Sequence, residues 1–228
     1  MNKDSLIEFI SNNQGPLLQD FYDKSYEKLK NLNNRVNTIT IYLIVVVLLY
    51  FIISKSTITA IQIGPIALND LVVATQLLPI VFSYLLFELI VTSQHKAEIY
   101  TAVKFIFMAL YVQPVEPEDL KMNHNNLFTR IILPFSFTTD LSRLTQGKTH
   151  VLLGFIGIIL VIPLLSLFLL PFVLVFFMLK DIYANYYADI LGKTSFYLTI
   201  WVNLVTIFYY IKVSVNNFQD IRNGDDFA

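Results

Sequence analysis

Cysteine is absent from the 228 residues, and glycine (seven), proline (eight) and tryptophan (one) are sparse. Without cysteine there are no disulfides, no thiolate-bound metals and no cysteine nucleophile, although the absence does not identify a compartment. Charge is scarce as well. Only 14% of residues are charged against 55% hydrophobic, and the mean hydropathy of +0.60 belongs to the membrane class rather than to soluble domains. HExxH, GxSxG and P-loop motifs are missing and no apolar stretch carries paired carboxylates, so the chain is not expected to be an enzyme. The three histidines, His95, His124 and His150, lack ligand spacing, and neither a metal nor a cofactor is expected. No internal repeat suggests the inverted halves of a transporter.

What the chain has in abundance is long uncharged runs. Val151 to Leu179 is 29 residues without a charge, Thr194 to Ile211 is 18, Leu71 to Phe87 is 17, and Val36 to Asn69 is interrupted only by Lys55. About 20 apolar residues in a helix cross a hydrocarbon layer of about 30 Å, and only helices or closed barrels satisfy their backbone groups there. The runs have helical length and no strand alternation. The expected fold class is therefore an all-α integral membrane protein, four transmembrane helices with a small helical cytoplasmic cap.

Loop charge sets the expected orientation. With residues 1–37, 94–150 and 216–228 inside, twelve Lys and Arg face inward, Lys212 at the inner end of the fourth span makes thirteen, and only Lys55, Lys180 and Lys193 face outward. Both termini are then cytoplasmic and the protein belongs to the plasma (inner) membrane. The first 37 residues carry ten charges and no apolar h-region, so the first span is expected to act as its own anchor, with no cleaved signal peptide. Thirteen acidic residues offset the inner cations, which argues against a large nucleic-acid surface.

The organisation follows from punctuation. Within 1–37, Ser5 and Glu8 form a capping-box pattern opening a short helix that Gly15 ends, and Pro16 suits the first turn of a second. No Gly or Pro occurs from Leu17 to Ile63, so this second helix is able to continue into the first span as a rod. Residues 38–93 form the first transmembrane hairpin around an outer turn, 56–70, without charge from Ser56 to Asn69, which reads as a β-hairpin turning at Gly64-Pro65, as a helix extension, or as a re-entrant loop. The cytoplasmic segment 94–150 opens with a helix, Ala97 to Val112, apolar at Ile99, Ala102, Val103, Ile106 and Leu110. It ends at Pro114 and Pro117, and a short capped helix follows near Thr139-Asp140 to Gly147. Residues 151–215 form the second hairpin. Its first run would reach about 44 Å if straight, so Pro163 and Pro171 are expected to bend it. Tyr183, Tyr186, Tyr187 and Tyr197 suit an outer aromatic belt.

Polar groups inside apolar spans are costly and mark candidate sites. Ser195, Thr199, Asn203, Thr206 and Tyr210 recur at helical spacing on the fourth span, and Gln76 with Ser83 share a face of the second. Such a stripe either lines a water-filled path or hydrogen-bonds between helices. Glu88 is the single acidic residue within a span, and it is either a functional carboxylate or one paired at the inner interface with Lys96, Lys212 or a neighbouring helix. Lys121, Arg130, Arg143, Lys148 and His150 form a basic patch that suits a small anionic ligand or lipid headgroups. Together these features point to a homo-oligomeric channel or pore-forming effector gated through its cytoplasmic segment. The alternative is a non-conducting membrane anchor, sensor or accessory subunit that holds a cytoplasmic partner. The lipid bilayer is the expected partner in either case.

Overall fold

The computed structural model describes residues 8–10, 12–13, 15–54, 61–63, 66–68, 71–111 and 169–222, with side chains as far as residue 215 and none in the strands. Long helices dominate: α1 (Pro16–Ser54), α2 (Leu71–Tyr111), α3 (residues 169–185) and α4 (Ile190–Arg222). The sole strands among the described residues are β1 (Ile61–Ile63) and β2 (Ile66–Leu68), paired antiparallel with Ile63 opposite Ile66. That register leaves two residues, Gly64 and Pro65, between the strands, which is the hairpin alternative for the 56–70 turn.

Gly15 adopts a left-handed backbone (φ 81°) that separates the helical residues 8–10 and 12 from α1. Glycine takes that conformation without steric cost, and Pro16 then fits the first helical position, where its missing N–H leaves no bond unmade. From there α1 runs 39 residues without a break, about 58 Å at the helical rise. The rod expected from the absence of Gly and Pro is present. α2 runs 41 residues, about 62 Å, and passes through the polar stretch 93–98 with no interruption. The sequence places a boundary at residue 94 because charge begins there, but Gln94, His95, Lys96, Ala97 and Glu98 are all compatible with helix. A change of solvent is not a helix stop.

Three of these helices, α1, α2 and α4, are long and apolar enough to cross a membrane, and they mark the chain as a multi-pass membrane protein. A third or less of each apolar window is buried by the chain itself. The remaining side chains point outward: Ile41, Ile44, Leu48 and Phe51 on α1, Val72, Leu77 and Val81 on α2, Trp201, Leu204 and Phe208 on α4. Trp201 is 64% exposed in the middle of an apolar helix, a placement that lipid tails explain and water does not. Most of the long run Val151 to Leu179 lies outside the described residues, and its last part forms the start of α3.

The chain divides into two compact units. One contains residues 1–45, 87–134 and 203–228; the other contains 46–86 and 135–202. In the first unit, Leu18, Tyr22 and Leu29 from α1 pack with Ala102, Val103, Ile106, Phe107 and Met108 from α2, and Ile10 joins them. The ring of Tyr22 lies 6.2 Å from that of Phe107, and Phe107 lies 4.9 Å from Tyr111. The apolar spacing read along Ile99 to Leu110 is thus the core face of α2. In the second unit, Tyr50, Phe82, Leu86, Val175, Met178 and Ile182 are buried.

Candidate functional site

The polar residues read as intramembrane candidates divide between the two units. In the second unit, Gln76 is 1% exposed and Ser83 is fully buried on α2, while Ser195 and Thr199 are fully buried on α4. The Ser195 hydroxyl donates to the Gln76 backbone carbonyl across the two helices. Pro79, inside α2, has no N–H to give, so the Thr75 carbonyl four residues back loses its helical donor, whereas the Gln76 carbonyl, whose helical donor is the Ile80 N–H, takes the serine hydroxyl in addition. The Gln76 amide nitrogen donates to Asp189 Oδ2 at 3.3 Å, whereas its Oε1 is buried and accepts no hydrogen bond among the described residues.

Asp189 immediately precedes α4, and its carbonyl accepts the first helical bond from the Lys193 N–H at 3.0 Å. A carboxylate at this position is favoured by the helix dipole. Close by in the chain, Asp181 of α3 accepts from the Tyr50 hydroxyl at 2.8 Å and from the Asn185 amide at 2.6 Å. Neither aspartate was prominent in the sequence, since both fall in what reads as an outer connector. Around the same α3–α4 turn, the rings of Tyr183 and Tyr187 lie 5.0 Å apart, Phe196 is 5.6 Å from Tyr187, and the Tyr187 and Tyr197 hydroxyls are 2.8 Å apart. Lys193 Nζ sits 5.8 Å from the Tyr187 ring centroid. Three of the four tyrosines expected in an outer belt, Tyr183, Tyr187 and Tyr197, thus pack together at this turn.

In the first unit, Thr206 is fully buried and Asn203 is 8% exposed, whereas Tyr210 is 54% exposed. The stripe therefore loses its last member. Fifteen residues at about 100° each leave Tyr210 rotated by about 60° from Ser195, enough to turn a large ring off the buried face. Tyr209 instead packs its ring 6.1 Å from that of Phe87.

Glu88 also belongs to the first unit. Its Oε1 accepts from Arg35 Nη2 at 2.6 Å and from Arg35 Nε at 3.0 Å, so the acidic residue of the second span is paired across α1 and α2. Its side chain is 21% exposed and that of Arg35 is 64%. Of the three partners the sequence offers, the neighbouring helix supplies the cation, and Lys96 and Lys212 do not. Lys96 donates to Asn33 Oδ1 at 2.7 Å, and burial holds its ammonium below the usual lysine range. His95 approaches Glu98 at 3.7 Å with both side chains exposed. Further along the same helices, burial in the aromatic core pushes the Tyr22 hydroxyl up to about 12, with Tyr111, Tyr26 and Asp23 adding to it.

Lys121, Arg130, Arg143, Lys148 and His150, with His124, lie outside the described residues. Among the described residues, no group of three or more His, Cys, Asp or Glu side chains is placed to hold a metal ion.

No protein-family model, no curated protein and no solved structure matches this chain.

Proposed function

We propose that the chain is a multi-pass membrane protein that holds or senses a cytoplasmic partner through a helical stalk and does not itself conduct. One observation carries this reading. At about 58 and 62 Å, α1 and α2 are each about twice the thickness of a hydrocarbon layer, and their polar ends are joined by a dedicated core of Leu18, Tyr22, Leu29, Val103, Ile106 and Phe107. A plain anchor has no use for a packed, aromatic-rich helical pair beyond the bilayer. The excess of Lys and Arg on the stalk side supports a cytoplasmic location for it.

The channel reading, in which copies assemble with the α4 stripe around a shared path, rests on the same polar residues. Thr199 and Thr206 are fully buried within a single chain, and side chains enclosed by their own chain's helices are poorly placed to line a path between copies. Interhelical hydrogen bonding accounts for buried Ser, Thr, Asn and Gln in a span without a pore. What favours conduction is the buried Oε1 of Gln76, since an unmet acceptor in an apolar span is costly.

Ion flux from liposomes reconstituted with the purified protein separates the two. The stalk reading expects flux no greater than from empty liposomes, with or without a membrane potential. Flux that is altered by Asn203→Leu would instead establish the channel.

A further inference from the structure

Just before the uncharged run of α1 begins at Val36, an open groove of about 340 Å³ is lined, among the described residues, by Lys24, Glu27, Lys28, Asn31, Leu32 and Arg35. Positions 24, 28, 31 and 35 are spaced by four, three and four, so they share one face of the helix. The two ends of the groove differ in charge. At the far end Lys24 is held by Asp20 at 2.7 Å and Glu27 lines the wall, so no positive charge is left over there. At the membrane end Lys28 has no ion-pair partner among the described residues, and α1 contains no acidic residue after Glu27. Arg35 gives Nε and Nη2 to Glu88, yet its side chain is 64% exposed and a guanidinium has further N–H donors. Lys28, Arg35 and Glu88 together leave one positive charge, with the exposed Asn31 amide between the two cations. The same face then continues into the apolar run. Tyr42, five full turns from Lys24, is exposed there, and so is Val45.

We infer that an anionic phospholipid of the leaflet on the stalk side seats its phosphodiester between Lys28 and Arg35, with an acyl chain along Tyr42 and Val45. A cationic groove that opens onto an exposed apolar strip suits a molecule charged at one end and apolar at the other. The charge count fits too, since one phosphodiester carries one negative charge against the single positive charge left at this end. Lys28 and Arg35 lie about 10 Å apart along the helix, a span that their long side chains close from both sides. Basic groups just outside a membrane span are the usual site of headgroup binding. A soluble anion would leave the apolar strip unused, and an acidic protein segment would run into Asp20 and Glu27 at the far end. The inference goes beyond the stalk reading and needs only that α1 enters the membrane near Val36.

Thermal unfolding of the full chain in a nonionic detergent tests it, with phosphatidylglycerol or phosphatidylcholine of the same acyl chains titrated into the micelles. Bound lipid raises the midpoint by mass action, so the midpoint should climb at a lower mole fraction of phosphatidylglycerol than of phosphatidylcholine. Lys28→Gln and Arg35→Gln should each raise the phosphatidylglycerol fraction required by about fivefold. Lys30→Gln removes the same charge from another exposed face of α1 and should leave that fraction unchanged. An equal response to the two lipids would overturn the proposal. So would an equal loss in Lys30→Gln and Lys28→Gln, which marks diffuse attraction to an anionic surface, and so would a matching rise with inorganic phosphate in phosphatidylcholine micelles, which assigns the groove to a soluble anion. Arg35→Gln also breaks the pair with Glu88, so if that variant does not fold, Lys28→Gln against Lys30→Gln decides the matter. Micelles have no sides and hold no protein partner, so failure here leaves the stalk reading standing.

Discussion

Gly192 shows how much a single hydrogen can matter. A Cβ built there would lie 2.1 Å from the Tyr186 carbonyl oxygen and 2.8 Å from its carbon, so the turn joining α3 to α4 closes only because the side chain is missing. The obstacle is backbone, which does not rotate away. Gly192→Ala should therefore lower stability by about 1–3 kcal/mol, read as a reduced unfolding midpoint in detergent. Glu88 offers a milder case. Arg35 is well exposed, so most of the pair's Coulomb energy is screened, and a double-mutant cycle with Arg35→Ala and Glu88→Ala should return a coupling of about 0.5–1 kcal/mol, smaller in high salt. Tyr22 makes a pH prediction. Its folded-state value, about 12, lies above the ordinary 10, so the stability it contributes is complete below pH 10 and is lost as pH rises toward 12. Alkaline unfolding followed by circular dichroism should lose this component in Tyr22→Phe, which has no hydroxyl to ionise.

At the scale of elements, local punctuation was easy to read and long-range pairing was not. Gly15 as a stop, Pro16 as a start, the unbroken rod of α1 and the hairpin about Gly64-Pro65 all follow from glycine, proline and their absence. The core face of α2 followed from the spacing of Ala102, Val103 and Ile106. The continuity of α2 through residue 94 was missed because charge marks where solvent changes and not where a helix ends. Arg35 with Glu88, Tyr50 with Asp181 and Gln76 with Asp189 are separated by 53, 131 and 113 positions, distances at which periodicity carries no information. A partial signal did exist for the last pair. A glutamine near a proline inside an apolar helix implies a partner, though not which one. Ser195 acts at this scale too: Ser195→Ala removes the hydroxyl that donates to the Gln76 carbonyl across α2 and α4 and should cost about 0.5–2 kcal/mol, read as a lowered unfolding midpoint in detergent.

For the whole molecule, the sequence located the protein in a membrane and left its task open, because scarcity of charge speaks about solvent and not about chemistry. The structure adds three candidate spans and a stalk-like core that shares helices α1 and α2 with the apolar spans. Leu29, fully buried in that core, connects fold and proposed role. Leu29→Ala should destabilise the stalk by about 2–4 kcal/mol and, if the stalk carries the partner, weaken partner retention while membrane insertion is unchanged, as checked by fractionation. The absence of cysteine gives the most direct measurement of the central claim. Single cysteines at Lys24 and Glu98, both exposed on the stalk, and at Leu48, exposed on the apolar half of α1, can be probed in sealed vesicles with a membrane-impermeant maleimide. The account predicts that positions 24 and 98 label from the same face, the cytoplasmic one, and that position 48 labels from neither. Labelling of 24 and 98 from opposite faces, or of 48 as readily as 24, would contradict it.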